Sequence, residues 1–292
     1  MPSASASKYR RFMSVTRASP SIVVFSGVDG VLHDPDLPAF TTAAAALKPL
    51  AEDGALVLCS GKTRAELELV RQKLDLPHPF ICEHGGAVII PNGYFDFDVP
   101  GTRSVAGSQA VEFGRAYADV VDILHRTADR LRIEIVGFSD MSIEEVATEC
   151  HVGLLQARLA KLREYEEPFR LVDPAPAARS RLFKALDAAH LRGRLDGRFA
   201  RAGAPVDSAA GVSLLTSLYR RAVGDLITVG VTHTTPDDNL LSLVDHAIMA
   251  ADDAPGEEAA DVVDWAAAIV DRVKELRGKR TGSGSVAAPG SR

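Results

Sequence analysis

Short, wholly apolar runs alternate with amphipathic stretches along this chain. Ile22-Val23-Val24-Phe25, Ala55-Leu56-Val57-Leu58 and Asp225-Leu226-Ile227-Thr228-Val229 have the composition of strands buried on both faces, and His246-Ala247-Ile248-Met249 is a weaker fourth. After Ser60-Gly61 the pattern changes to helical spacing over 62–74, with Leu67, Val70 and Leu74 on one stripe. A final helix over 257–276 places Val262, Trp265, Ile269, Val273 and Leu276 on one face. Strands and helices alternating in this way predict an α/β fold: a Rossmann-like parallel sheet covered on both sides, with ligands at the carboxyl ends of its strands.

The middle of the chain has a different grammar. Residues 87–94 read as a strand entering an Asn92-Gly93 hairpin, an antiparallel signal. Helices are expected over 109–130, 154–163 and 180–190, and strands over 132–136, 169–172 and 197–202. Ser142-Ile143-Glu144-Glu145 is a capping box that opens another helix. These elements predict an inserted α+β cap over 87–203, between core segments 21–86 and 204–277. Residues 1–20, rich in Ser, Ala and Arg and without an acid, read as a disordered leader with Met13 an alternative start; 278–292 read as a disordered tail.

Composition narrows the function. A net charge of −6 argues against a nucleic-acid or anionic-membrane partner, and no apolar run approaches a membrane span. Cys59, Cys82 and Cys150 form no C-x-x-C pair and sit in apolar surroundings, the usage of buried thiols in a reducing, cytoplasmic setting.

The chemistry concentrates at the strand ends. Phe25-Ser26-Gly27-Val28-Asp29-Gly30-Val31-Leu32 leaves the first strand with an acid just past it, which is also a plain Asp-Gly turn. The segment resembles the first motif, D-x-D-G, of haloacid-dehalogenase-type phosphatases. Leu58 to Glu66 looks like the second motif of the mannosyl-3-phosphoglycerate phosphatases, and Pro79-Phe80-Ile81-Cys82-Glu83-His84-Gly85-Gly86-Ala87 is similar to that family's P-F-I-x-E-N-G-G-A. Gly137 to Ser142 and Arg163 to Phe169 look like its cap signatures, and Thr228 to Asp245 like its fourth motif region.

The resemblance implies a magnesium-dependent phosphomonoesterase that acts on a sugar phosphate such as mannosyl-3-phosphoglycerate. It implies Asp29 as acid/base and metal ligand, Asp237 as a second ligand, and Ser60, Gly61 and Lys62 as the phosphate cradle. A cradle before a helix suits an anion, although Ser60 also reads as a simple N-cap. Arg64, Asp140, Arg163 and Glu166 read either as sugar or glycerate contacts or as helix caps and surface pairs. Glu83 to Gly86 reads as a hinge between core and cap.

Three departures bear on catalysis. The nucleophile position is Gly27, and Ser26 beside it points to the opposite face of the strand. His233 stands where a metal carboxylate is expected, and a histidine suits magnesium poorly. The lysine-bearing segment reads Asp207-Ser208-Ala209-Ala210, and Lys184, Arg220 and Arg221 lie elsewhere. Two functions remain open at this point: a phosphatase working by an altered route, and a pseudophosphatase that binds a sugar phosphate or a protein partner.

Overall fold

A computed structural model describes residues 21–28, 38–173, 175–232, 239–249 and 259–282. Among these residues the larger sheet has eight strands: β1 (Ile22–Gly27), β2 (Ala55–Cys59), β3 (Phe80–Cys82), β4 (Ala87–Pro91), β5 (Arg103–Val105), β6 (Ser108–Glu112), β11 (Ile227–Thr232) and β12 (His246–Met249). Their order is β12-β11-β1-β2-β3-β4-β6-β5. The run from β12 to β3 is parallel, as its apolar composition predicts. From β3 onward each pairing is antiparallel.

Alternation within the parallel strands feeds two hydrophobic layers. Ile22, Val24, Leu56 and Leu58 pack toward helices α1 (Pro38–Asp53), α2 (Arg64–Lys73) and α8 (Ala259–Gly282). Val23, Phe25, Val57 and Cys59 face the other way, toward helix α7 (Ser208–Val223) and the Phe95 region. Burial on both faces explains why β1, β2, β3 and β11 carry no charged residue, their few polar side chains being the hydroxyls of Ser26, Thr228 and Thr232. Helix α1 is absent from the sequence expectation, yet Phe40, Ala43, Leu47 and Leu50 are spaced as one helical stripe and are all buried.

The smaller sheet has the order β7-β8-β10-β9, built from β7 (Ile135–Gly137), β8 (Glu166–Leu171), β9 (Arg192–Asp196) and β10 (Phe199–Gly203). Helices α3 (Tyr117–Leu131) and α6 (Pro176–Ala188) cover one face through Val120, Leu124, Leu182 and Leu186. Helices α4 (Ile143–Cys150) and α5 (Leu154–Ala160) pack around Phe138, Met141 and Phe199. The expected capping box is formed, with Ser142 and Glu145 exchanging side-chain and backbone bonds.

Several expectations need correction. Residues 87–91 and 103–112, expected within the cap, hydrogen-bond into the larger sheet. The helix expected over 109–130 is instead strand β6 followed by α3. Pairing with β4 claims its first residues, and Phe113 and Gly114 both donate to the Gly86 carbonyl and turn the chain. The Asn92-Gly93 turn is present, with Gly93 at φ 72°, but β4 pairs with β6 across it. Helix α8 runs to Gly282, past the expected start of the tail at 278. The leader 1–20 and residues 283–292 lie outside the described residues.

Candidate phosphate site at the strand ends

Gly27 closes β1 and sits beside Cys59 of β2 in register. A Cβ placed on it would meet the Val231 carbonyl oxygen at 3.5 Å, Thr232 Oγ1 at 3.6 Å and Thr232 Cα at 3.7 Å. These are ordinary van der Waals contacts, so packing does not demand a glycine here. Ser26 is fully buried on the opposite face; its Oγ accepts from Trp265 Nε1 at 2.9 Å and donates to the Gly27 carbonyl at 3.1 Å. Its hydroxyl is therefore committed to the α8 side, away from the strand-end crevice. Asp29, His233 and Asp237 lie outside the described residues. Among the described residues no group of three or more His, Cys, Asp or Glu converges to hold a metal ion.

The second motif forms a loop ahead of α2. Helix α2 begins at Arg64 with Thr63, not Ser60, as its N-cap, closed by a capping box with Glu66. Ser60 Oγ accepts from the Lys62 N–H at 3.0 Å. The Ser60 carbonyl accepts from the His84 N–H, the Lys62 carbonyl from the Glu83 N–H, and the Gly61 carbonyl from Arg163 Nη1 at 2.7 Å. In trans peptides N–H and C=O point in opposite directions. With the Ser60 carbonyl turned toward 83–84, the Gly61 N–H is aimed the other way, while the Lys62 N–H is taken by Ser60 Oγ. The His84 ring lies directly on this loop: a Cβ on Gly61 would fall 2.1 Å from its Cε1.

The segment read as a hinge is hydrogen-bonded to the 164–166 backbone through Glu83. Glu83 and His84 take left-handed φ values of 46° and 50°, and Gly85 takes 96°. Gly85 is required, since a Cβ there would lie 2.1 Å from the Asp207 carbonyl. The Glu83 carboxylate is fully buried and accepts backbone N–H bonds from Glu164, Tyr165 and Glu166, each at 2.9 Å. Burial pushes its carboxyl up in pKa, against the pull of Arg163 and the three N–H groups. Sequence analysis did not reach this role, because its partners lie about 80 residues away.

The four polar residues assigned to the cap signatures and α2 are brought to this joint with one exception. Arg163 donates to the Gly61 and Ala160 carbonyls; burial opposes its charge, but Glu83, Glu66, Glu166 and Glu167 outweigh that and hold its pKa up. Glu166 pairs with His84 Nδ1 at 2.7 Å and with Arg201 Nη1 at 2.6 Å. Burial pushes its carboxyl up, but His84, Arg201 and Arg163 prevail and bring its pKa down to about 2. Arg64 binds Glu164 at 2.7 Å and Glu68 at 3.0 Å. Asp140 stands apart in the β7–α4 turn, where it accepts the Gly137 N–H at 2.7 Å and lies 3.5 Å from His125. Asp207 caps α7 by accepting the Ala209 N–H at 3.0 Å, Arg221 stacks 3.9 Å over Phe97, and Lys184 is exposed on α6.

No protein-family model matches the chain. A glucosyl-3-phosphoglycerate/mannosyl-3-phosphoglycerate phosphatase of Methanococcoides burtonii is 32% identical over 224 residues, spanning 76% of this chain and 82% of that protein. The chain belongs to the mannosyl-3-phosphoglycerate phosphatase family. A mannosyl-3-phosphoglycerate phosphatase of Pyrococcus furiosus is 30% identical over 197 residues, spanning 68% of this chain and 78% of that one. The fold is shared with a haloacid dehalogenase-like hydrolase from Bacteroides thetaiotaomicron, at a TM-score of 0.52 and 12% identity over 87% of this chain and 99% of that one. It is shared also with the sucrose-phosphatase of Synechocystis sp. PCC6803, at a TM-score of 0.50 and 11% identity over 86% and 98%. Among the described residues no helix of this family member is long and apolar enough to cross a membrane, and no disulfide joins its cysteines; Cys59 and Cys82 are buried, Cys150 half-buried.

Proposed function

We propose that this family member binds a sugar phosphate and has lost the aspartyl-phosphate route to hydrolysis. One observation carries the reading: β1 ends on Gly27, which has no side chain to attack phosphorus, and the neighbouring Ser26 hydroxyl is turned to the other face. A carboxylate at that place would be the covalent nucleophile. Removing a covalent nucleophile lowers the rate by about 10⁶ in well-studied hydrolases. The Asp207–Ala210 segment adds no cation that would neutralise a transferring phosphoryl group.

The ligand is mannosyl-3-phosphoglycerate or its glucosyl counterpart, the compounds named for the relatives. Ser60, Gly61 and Lys62 receive the phosphate. Arg163, Glu166 and Arg64 hold the cap against that loop, as their protein partners support. Asp29, Asp237 and His233 are the remaining acid and metal positions. Magnesium is the metal of this superfamily, but the described residues supply no donor set for it, and Gly27 contributes no side-chain oxygen. The cysteine usage supports a cytoplasmic setting.

The test is phosphate release from both glycosyl-3-phosphoglycerates with magnesium, manganese and zinc, run beside calorimetric titration of the same compounds. Binding without turnover supports the proposal. Turnover above roughly 1 s⁻¹, an ordinary enzymatic value, favours the altered-route phosphatase and overturns it.

A further inference from the structure

The family string P-F-I-x-E-N-G-G-A carries Asn where this chain has His84. The position is left-handed, with φ 50°, a conformation that a short Asn adopts readily. Histidine adds length and a titratable ring, and the ring reaches two partners. Its Cε1 and Nε2 lie 2.1 and 2.4 Å from where a Cβ on Gly61 would stand, so one edge rests on the second-motif loop. Its Nδ1 meets Glu166 of β8 at 2.7 Å. Glu166 is held ionised, with its pKa down to about 2, and an ionised carboxylate only accepts. Nδ1 therefore keeps its proton, and Nε2 is the nitrogen that titrates. The residue 84 backbone stands behind the Gly61 N–H, and its ring stands beside Gly61. At that range a ring charge acts through space on any anion the loop holds.

The charges around the ring, among the described residues, come from several elements. Glu166 shares its other oxygen with Arg201 of β10 at 2.6 Å. Arg163, ahead of β8, binds the Gly61 carbonyl, and Lys62 belongs to the loop itself. Glu83 precedes His84 and is buried under the 164–166 N–H groups. Asp207 heads α7, with its carboxylate on the Ala209 N–H and its carbonyl against Gly85. Glu66 and Glu167 act on Arg163. These carboxylates outnumber the fixed cations, so a neutral ring leaves the loop in a field that repels phosphate. The Asp207–Ala210 segment, against which Gly85 packs, brings no cation of its own.

We propose that the His84 imidazolium is a phosphate-positioning residue: braced by Glu166, it supplies the Ser60–Lys62 loop with the positive charge that the lysine-free Asp207–Ala210 segment does not. The inference rests on the sugar-phosphate reading above and adds the residue that sets its pH dependence. Affinity is highest with Nε2 protonated and falls as pH rises through the histidine range, between about pH 5 and 8. The ligand's own phosphate ionises near about pH 6 and works in the opposite direction. The parent is therefore read against His84→Asn, which meets the same ligand without the titrating ring.

The test is calorimetric titration of mannosyl-3-phosphoglycerate into the full chain and into His84→Asn, from about pH 5.5 to about pH 8.5. Asn suits the left-handed position, so the fold should hold, with thermal unfolding as the check. The ratio of parent to variant affinity should fall at least about 10-fold across that range, the scale of one charge acting at short distance. A ratio that stays constant with pH overturns the inference and leaves the sugar-phosphate reading standing. Binding by neither protein at any pH overturns both. A second measurement needs only the parent: by reciprocity the ligand should move the His84 titration, followed by NMR, to higher pH, which a purely structural ring would not do. An unmoved titration overturns the assignment even where the variant fails to fold.

Discussion

Replacing Gly27 with Asp restores the one side chain that the aspartyl-phosphate route cannot do without. The structure allows it: the new Cβ would sit 3.5–3.7 Å from Val231 and Thr232, and Gly27 is not among the glycines with positive φ. Removing a glycine from a compatible backbone stabilises by about 0.4–1 kcal/mol through the unfolded chain. A half-buried carboxylate offsets part of that, so the unfolding midpoint should stay within about 4 °C of the parent. A typical turnover of about 10 s⁻¹ lowered by about 10⁶ puts the parent near 10⁻⁵ s⁻¹. With magnesium, Gly27→Asp should release phosphate from mannosyl-3-phosphoglycerate at least about 100-fold faster, or about 2.7 kcal/mol of barrier. Full restoration is not expected, because the Asp207–Ala210 segment still has no lysine. The assay is continuous phosphate detection with calorimetric unfolding in parallel. Equal rates in parent and variant would refute the claim that the missing oxygen limits catalysis. A collapse in stability would refute the claim that the position has room.

Other expectations address the joint between core and cap. Glu83→Ala orphans three buried N–H groups and leaves Arg163 without its carboxylate, so it should destabilise by roughly 3–5 kcal/mol in urea titration; a loss under about 1 kcal/mol would contradict the geometry. Gly61→Ala drives a methyl into the His84 ring, and the second-motif loop should shift, with phosphate affinity falling at least about 10-fold and the fold retained. Glu166 is held down from 4.5 to about 2, so its contribution, on the order of 3 kcal/mol, is present above about pH 4.5 and lost as pH falls through about 2. Unfolding measured between pH 6 and pH 2 should therefore show a steep acid limb that Glu166→Gln flattens.

Much of the core was legible because its signals are local. An apolar run of four or five residues declares a strand buried on both faces, and the 3-4-3 spacing of Phe40, Ala43, Leu47 and Leu50 declared a helix that sequence reading did not assign. The Gly27 vacancy and the 60–62 loop were legible through the resemblance to family motifs. Arg64, Arg163 and Glu166 were singled out as polar residues within matched strings, but their partners were not. Arg163 meets Gly61 across 102 positions and Arg64 meets Glu164 across 100, distances at which neighbouring residues carry no periodic trace. The same limit explains 87–91 and 103–112: an alternating strand looks alike whether it closes a cap or extends a core.

The sequence by itself determined the parallel α/β core and the absence of an attacking oxygen at the end of β1, because the first is a matter of periodicity and the second of one residue's identity. Only the tertiary structure decided that residues 87–91 and 103–112 complete the larger sheet, that Glu83 staples the cap's backbone to the core, and that the His84 ring lies on the second-motif loop. Strand partners and charge partners are chosen by long-range packing, where burial makes an unsatisfied N–H or an unpaired carboxylate too unfavourable to leave.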